Sequence, residues 1–144
     1  MTAADHHKVG NIFVYGSLKQ GEPLYFLEGI RDLRLEIFPA RVQGGLLYNL
    51  GLFPGMILKS NAGVVMGEVQ RFRQIETVLG ILDEVEEYYG EGDPHNLYRR
   101  VEHEAELLNG EGFITCWVYE YVGPMDEAEF IESGVWHGTP GQPY

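Results

Sequence analysis

Two stretches of this chain carry residue types whose spacing suits acid–base chemistry. The first ends an amphipathic segment, Ile75–Val85. Its apolar residues Ile75, Val78, Leu79, Leu82 and Val85 recur at helical spacing. At about 100° per residue, Glu86 falls inside that stripe, one turn after Leu82. Glu76, Asp83, Glu84 and Glu87 fall outside it and are expected to face solvent. A carboxyl aimed at a core is desolvated, which raises its pKa. A carboxyl brought towards neutral pH is what general acid–base catalysis needs. The competing reading is a helix that frays at Leu82 and leaves Glu86 in a wet turn, which Tyr88-Tyr89-Gly90 permits. On the helix alone, fraying is the slightly better reading.

The second stretch is Tyr15-Gly16-Ser17-Leu18, where the apolar run Asn11–Tyr15 breaks. A buried strand that opens at Gly-Ser presents successive backbone N–H groups, which can form a nest for a carboxylate or phosphate. Taken alone, an ordinary turn is the better reading of that break. It is not a P-loop, because the spacing to Lys19 is wrong. His6, His7, His95, His103 and His137 are scattered, and none but the adjacent His6-His7 has ligand spacing, so no metal site is expected. Ser17 lacks the strand–turn–helix setting of a nucleophile elbow. Cys116, in the apolar run Phe113–Tyr121, reads as a small core residue.

The elements that must position these residues are mostly strands. Asn11–Tyr15, Leu33–Phe38, Gly44–Tyr48, Met56–Lys59 and Val64–Phe72 read as strands, with Gly67 as a bulge. Pro23–Ile30 reads as a short helix and Gln74–Glu87 as the long one. Tyr98–Leu107 alternates, with Glu102, Glu104 and Glu106 on one face and Val101, His103, Ala105 and Leu107 on the other. Asn109-Gly110 then signals a hairpin turn. Phe113–Tyr121 returns, with Trp117, Tyr119 and Tyr121 on one face. Many strands interrupted by one long helix predict an α+β fold with a mostly antiparallel sheet, closed or open.

A chain of 144 residues suits one domain with a real core, expected over 11–144 behind a flexible N-terminus, 1–10. The formal net charge of −12 argues against nucleic acid or an anionic membrane as partner. A small anion remains compatible, because backbone N–H groups can hold it. One cysteine makes no intrachain disulfide. Met1–Gly10 is polar, without the apolar stretch of a signal peptide, and a cytoplasmic location is expected. The oligomeric state is left open.

Taken in order, the motifs carry a resemblance. Tyr15-Gly16-Ser17-Leu18, then Leu82-Asp83-Glu84-Val85-Glu86, then Tyr98-Arg99-Arg100 resemble the Y-G-S/T-L loop and the L-D-x-x-E … Y-x-R segment of the γ-glutamylcyclotransferase-like superfamily, in its γ-glutamylamine cyclotransferase and AIG2-like branch. Gly67-Glu68-Val69 and Trp117-Val118-Tyr119 fit as well, so the resemblance covers most of residues 11–122. It implies a small mixed β-barrel with flanking helices. It also implies a cofactor-free reaction, in which the α-amine of a γ-glutamyl group attacks its own γ-carbonyl to give 5-oxoproline and a free amine. Carried over, Glu86 is the acid/base, Tyr15, Gly16, Ser17 and Leu18 form the loop that holds the substrate carboxylate, and Tyr119 is a cavity-lining hydroxyl. A non-catalytic binding protein or an amide hydrolase on the same fold are the alternatives. The chain departs from the pattern twice: Glu87 stands where the family usually has Gly, and Tyr88–Asn96 is longer and more acidic than usual, placed to form part of a pocket rim.

Overall fold

The computed structural model describes residues 9–59 and 63–137. Residues 1–8 of the expected flexible stretch, with His6 and His7, lie outside the described residues. The elements in chain order are β1 (Asn11–Val14), β2 (Arg34–Gln43), β3 (Gly45–Asn49), β4 (Pro54–Leu58), β5 (Val64–Phe72), α1 (Ile75–Val85), β6 (Tyr98–Leu107), β7 (Gly112–Tyr121) and β8 (Glu129–Phe130). One 3₁₀ turn, Arg31–Leu33, precedes β2.

Five strands close into a barrel in the order β1-β5-β2-β6-β7. All neighbours are antiparallel except at the seam, where β1 runs parallel to β7 with Ile12 opposite Trp117. The mixed, mostly antiparallel barrel is therefore as expected. Strands β4, β3 and β8 form a separate three-stranded sheet. The two-residue β8 is too short to show a period, and the sequence did not announce it.

Alternation along the strands sorts side chains into two cores. Phe13, Ala40, Val42, Val65, Val69, Ala105, Leu107, Cys116 and Val118 form one cluster drawn from all five barrel strands, joined by Leu47, Met56 and Trp136. Only the barrel interior lets all five strands meet. Cys116 is buried there, and burial pushes its thiol up to about 12, so it is the core residue expected. The opposite parity, Ile12, Val14, Tyr98, Tyr119 and Tyr121, faces outward and packs against Ile75, Val78, Leu79 and Leu82 of α1. Trp117, Tyr119 and Tyr121 thus line the side of the barrel that the helix covers. An 11-residue helix with no side-chain N-cap bond is marginal alone, so this docking holds it. Each buried aliphatic side chain contributes about 1.5–3 kcal/mol.

Two local expectations are corrected. Pro23–Ile30 is a run of turns, with Leu27 N–H donating to Leu24 C=O and Ile30 N–H to Leu27 C=O. Leu24, Leu27 and Ile30 recur every three residues, and that spacing suits a three-per-turn winding better than an α-helix. A single α-helix flanks the barrel among the described residues. Gly67 makes no bulge, since β2–β5 pairing runs unbroken past it and the shift falls at Arg34/Glu36. Gly is needed at 67 because a Cβ there would run into the Val14 carbonyl oxygen.

Candidate active site

The helix does not fray at Leu82. It runs to Val85, and Glu86 is its C-cap, with its N–H donating to Leu82 C=O at 2.8 Å. Glu87 N–H donates to Glu84 C=O (3.2 Å) and Tyr88 N–H to Asp83 C=O (2.8 Å). These are the two bonds of a Schellman motif, whose post-cap residue takes the left-handed conformation. Glu87 does so with φ 53°. The expected span Gln74–Glu87 is thus shortened to Ile75–Val85 with a cap at each end. The geometry sends the Glu86 side chain back towards the barrel.

Glu86 is half-buried on the wall of a cavity of about 160 Å³. Its carboxyl has no hydrogen-bond or ion-pair partner among the described residues, and burial alone pushes it up to about 7. Near neutral pH it is therefore divided between acid and carboxylate.

The Tyr15–Leu18 loop forms another part of the wall. Tyr15, Gly16, Ser17 and Leu18 all line the same cavity as Glu86 and Tyr119. Gly16 C=O accepts from Lys19 N–H at 3.0 Å, and Ser17 C=O accepts from Leu24 N–H at 2.8 Å. In a trans peptide the N–H points opposite to the C=O. Tying those two carbonyls into the protein therefore turns the N–H groups of Ser17 and Leu18 the other way. The N–H groups of Gly16, Ser17 and Leu18 donate to nothing among the described residues. Unpaired backbone donors at a cavity wall are a geometry that can receive an anion.

The loop is braced from behind by side chains that sequence reasoning missed. Gln70, fully buried on β5, donates to Leu18 C=O at 2.9 Å and accepts from Arg34 Nε at 2.9 Å. Glu68 accepts from Gln20 N–H at 3.1 Å. A buried Gln two residues from a Glu on one strand face was the available signal. Lys19, next in the chain, donates to Trp136 C=O at 2.8 Å and does not line the cavity.

Two tyrosines complete the floor. Tyr15 OH donates to Tyr119 C=O (2.6 Å) and accepts from Met56 N–H (3.1 Å). Tyr98 OH donates to Pro54 C=O at 2.7 Å. Burial holds both phenols above their ordinary range, so both are neutral. Pro54 packs on Gly16, where a Cβ would lie 2.6 Å from its Cγ.

Tyr119 does line the cavity, but its hydroxyl is committed. It donates to Asp83 Oδ1 at 2.6 Å. Arg100 forks onto the same carboxylate, with Nε 2.9 Å from Oδ1 and Nη2 3.2 Å from Oδ2. Asp83 is therefore no solvent-facing carboxylate. The register places Arg100 opposite Tyr119, and both face α1. Arg100 also lies 4.7 Å from the Trp117 ring centre. The long stretch after Glu87 closes on itself through Leu97 N–H to Glu87 C=O, 3.0 Å, and Asn96 to Tyr89 and Gly90. Only its ends, Glu87 and Leu97, line the cavity, so the intervening Tyr88–Asn96 is not rim.

The family model of γ-glutamyl cyclotransferase, AIG2-like, matches residues 12–138. The chain belongs to this family. The match spans the barrel, α1, the Tyr15–Leu18 loop and Glu86, and it places the chain with enzymes of the cyclotransferase kind. The chain is 32% identical over 111 residues to the γ-L-glutamyl-butirosin B γ-glutamyl cyclotransferase of Niallia circulans, covering 77% of this chain and 66% of that protein. It is 31% identical over 129 residues to the γ-glutamylcyclotransferase family protein YtfP of Escherichia coli, covering 87% and 94%. The solution structure of YtfP superposes with a TM-score of 0.58. An AIG2-like protein from Mus musculus, 21% identical, shares the fold with a TM-score of 0.66 over 95% of this chain and all of that one.

Proposed function

We propose that this chain is a cytoplasmic γ-glutamyl cyclotransferase that converts a γ-glutamyl amine to 5-oxoproline and the free amine. One observation carries the reading. A carboxyl with its pKa near 7 shares a small cavity with three backbone N–H groups, and among the described residues none of the four has a partner.

In this reading the N–H groups of Gly16, Ser17 and Leu18 hold the α-carboxylate of the glutamyl group. That fixes the α-nitrogen within reach of its own γ-carbonyl, an orientation effect. The Glu86 carboxylate takes a proton from the α-ammonium. The α-nitrogen attacks the γ-carbon, the γ C–N bond breaks, and the ring closes as a lactam. The nitrogen sheds two protons in all, and both end on the leaving amine, Glu86 relaying them. The chemistry needs no redox partner, and the resemblance implies no cofactor.

The lining supports an amine as leaving group. Among the described residues no Lys, Arg or His lines the cavity. The backbone loop would hold one carboxylate, and a second one on the leaving group would meet no counter-charge. The test is a panel of γ-glutamyl compounds with 5-oxoproline as the readout. Release of 5-oxoproline supports the proposal. Release of glutamate would make the protein an amide hydrolase. Binding of the panel without any product would make it a binding protein on this fold.

A further inference from the structure

The residue after the cap breaks two local rules at once. The post-cap position of a Schellman motif strongly favours Gly, because a Cβ is strained at positive φ. Glu87 occupies it with φ 53°. A negative charge at a helix C-terminus also opposes the helix dipole. The turn itself therefore gains nothing from a glutamate there. Its side chain makes no hydrogen bond or ion pair among the described residues, so no intramolecular contact accounts for it.

Its position does. Exposure along the cavity wall rises from buried Gly16, Leu18, Tyr98 and Tyr119 to exposed Phe53, Val85 and Glu87. The first set is the floor and the second the mouth. A cavity of about 160 Å³ is below the usual range for drug-sized ligands, about 300–1,000 Å³, so it takes a small group and the rest projects past the mouth. With the glutamyl carboxylate on the floor loop, the projecting part is the leaving amine. It leaves between apolar Phe53, Val85 and Leu97 and, among the described residues at the mouth, meets one charge, that of Glu87.

We propose that Glu87 is a specificity-determining residue, which selects γ-glutamyl amides whose leaving amine carries a second, protonated amino group on an alkyl chain. The inference rests on the cyclotransferase reading above. The apolar lip takes the alkyl chain and the Glu87 carboxylate takes the distal ammonium. The net charge of −12 steers such a cation towards the mouth.

The test compares mono-γ-glutamyl-1,4-diaminobutane with γ-glutamyl-n-pentylamine, in which a methyl replaces the distal ammonium. The native protein, Glu87→Gln and Glu87→Gly are assayed for 5-oxoproline release, with binding of both compounds measured by calorimetry. For a solvent-exposed ion pair the native preference for the diamine derivative should be about two- to fivefold and should shrink as salt rises. In both variants the ratio should fall towards one, with melting temperatures no lower than native. Equal handling of the two compounds by the native protein overturns the inference, as does a preference that survives in Glu87→Gln. Preferential binding that Glu87→Gln abolishes, with no 5-oxoproline formed, upholds the contact and overturns the cyclotransferase reading instead.

Discussion

The Tyr119 hydroxyl donates a 2.6 Å hydrogen bond to Asp83, and so ties the last turn of α1 to the barrel strand that floors the cavity. Asp83 precedes Glu86 by three residues, nearly one helical turn. Arg100 locks the same carboxylate from the neighbouring strand. Among the described residues Glu86 itself has no side-chain partner, so its place is set by this clamp and by its own cap.

Asp83→Ala should therefore act at a distance. Losing charge-assisted hydrogen bonds at a half-buried site costs about 1–3 kcal/mol of stability. Well below the lowered melting point, kcat should still fall about tenfold or more, because small displacements of an acid/base are costly. KM should change little, since the loop is untouched. Tyr119→Phe, which removes one bond, should fall between native and Asp83→Ala. Native kcat in Asp83→Ala would show that the clamp serves only folding.

Glu86→Gln should keep the fold and abolish cyclisation. It preserves size and removes the exchangeable proton, so the loss should be on the order of 10²-fold or more. Binding should survive. A steady-state assay beside a thermal melt checks both. Near-native turnover would remove Glu86 from the mechanism.

The Glu86 carboxyl, near 7, also fixes the sign of two pH effects. As a base it acts deprotonated, so the acidic limb of kcat/KM should have its midpoint near 7 instead of in the usual carboxylate range. For stability, the folded state binds this proton more tightly than the unfolded chain. That contribution is complete below about 4.5 and is lost as pH rises towards about 7. Glu86→Gln should abolish that fall, leaving the variant more stable than native at pH 8 by roughly 1–3 kcal/mol. Denaturant melts of both proteins across this range provide the check.

Gly16→Ala should damage the Tyr15–Leu18 loop. The added methyl would lie 2.6 and 2.9 Å from Pro54 side-chain atoms, so the loop or Pro54 must move. Overpacking of this kind costs about 1–3 kcal/mol. KM should rise more than kcat falls. Soaking native crystals with 5-oxoproline or formate should place a carboxylate against Ser17 and Leu18 N–H groups, and the variant should lose it.

Much of this was legible in the chain because it is periodic. The stripe of Ile75, Val78, Leu79 and Leu82 located the helix, and the alternation around Asn109-Gly110 gave the β6–β7 hairpin almost to the residue. The inward Glu86 came from the same wheel. What escaped is held by contacts distant in sequence. Pairing of Asp83 with Arg100 and Tyr119 needs the barrel register, and the Gln70 bond to Leu18 needs β1 laid beside β5. Phe53, on the cavity lip, belongs to a bend that has no pattern of its own. Glu87 was visible as an oddity, but only the Schellman geometry shows why it is one.

The parallel seam has a consequence for synthesis. Strand β1 is made well before β7, its partner across Ile12 and Trp117. A nascent chain emerges in that order. It therefore carries Glu86 and the Tyr15–Leu18 loop long before a closed barrel exists to bring them together. Until β7 docks, the glutamate is an ordinary carboxylate in water and the loop an ordinary turn. The desolvated carboxyl, with its raised pKa, comes into being only once the barrel has closed.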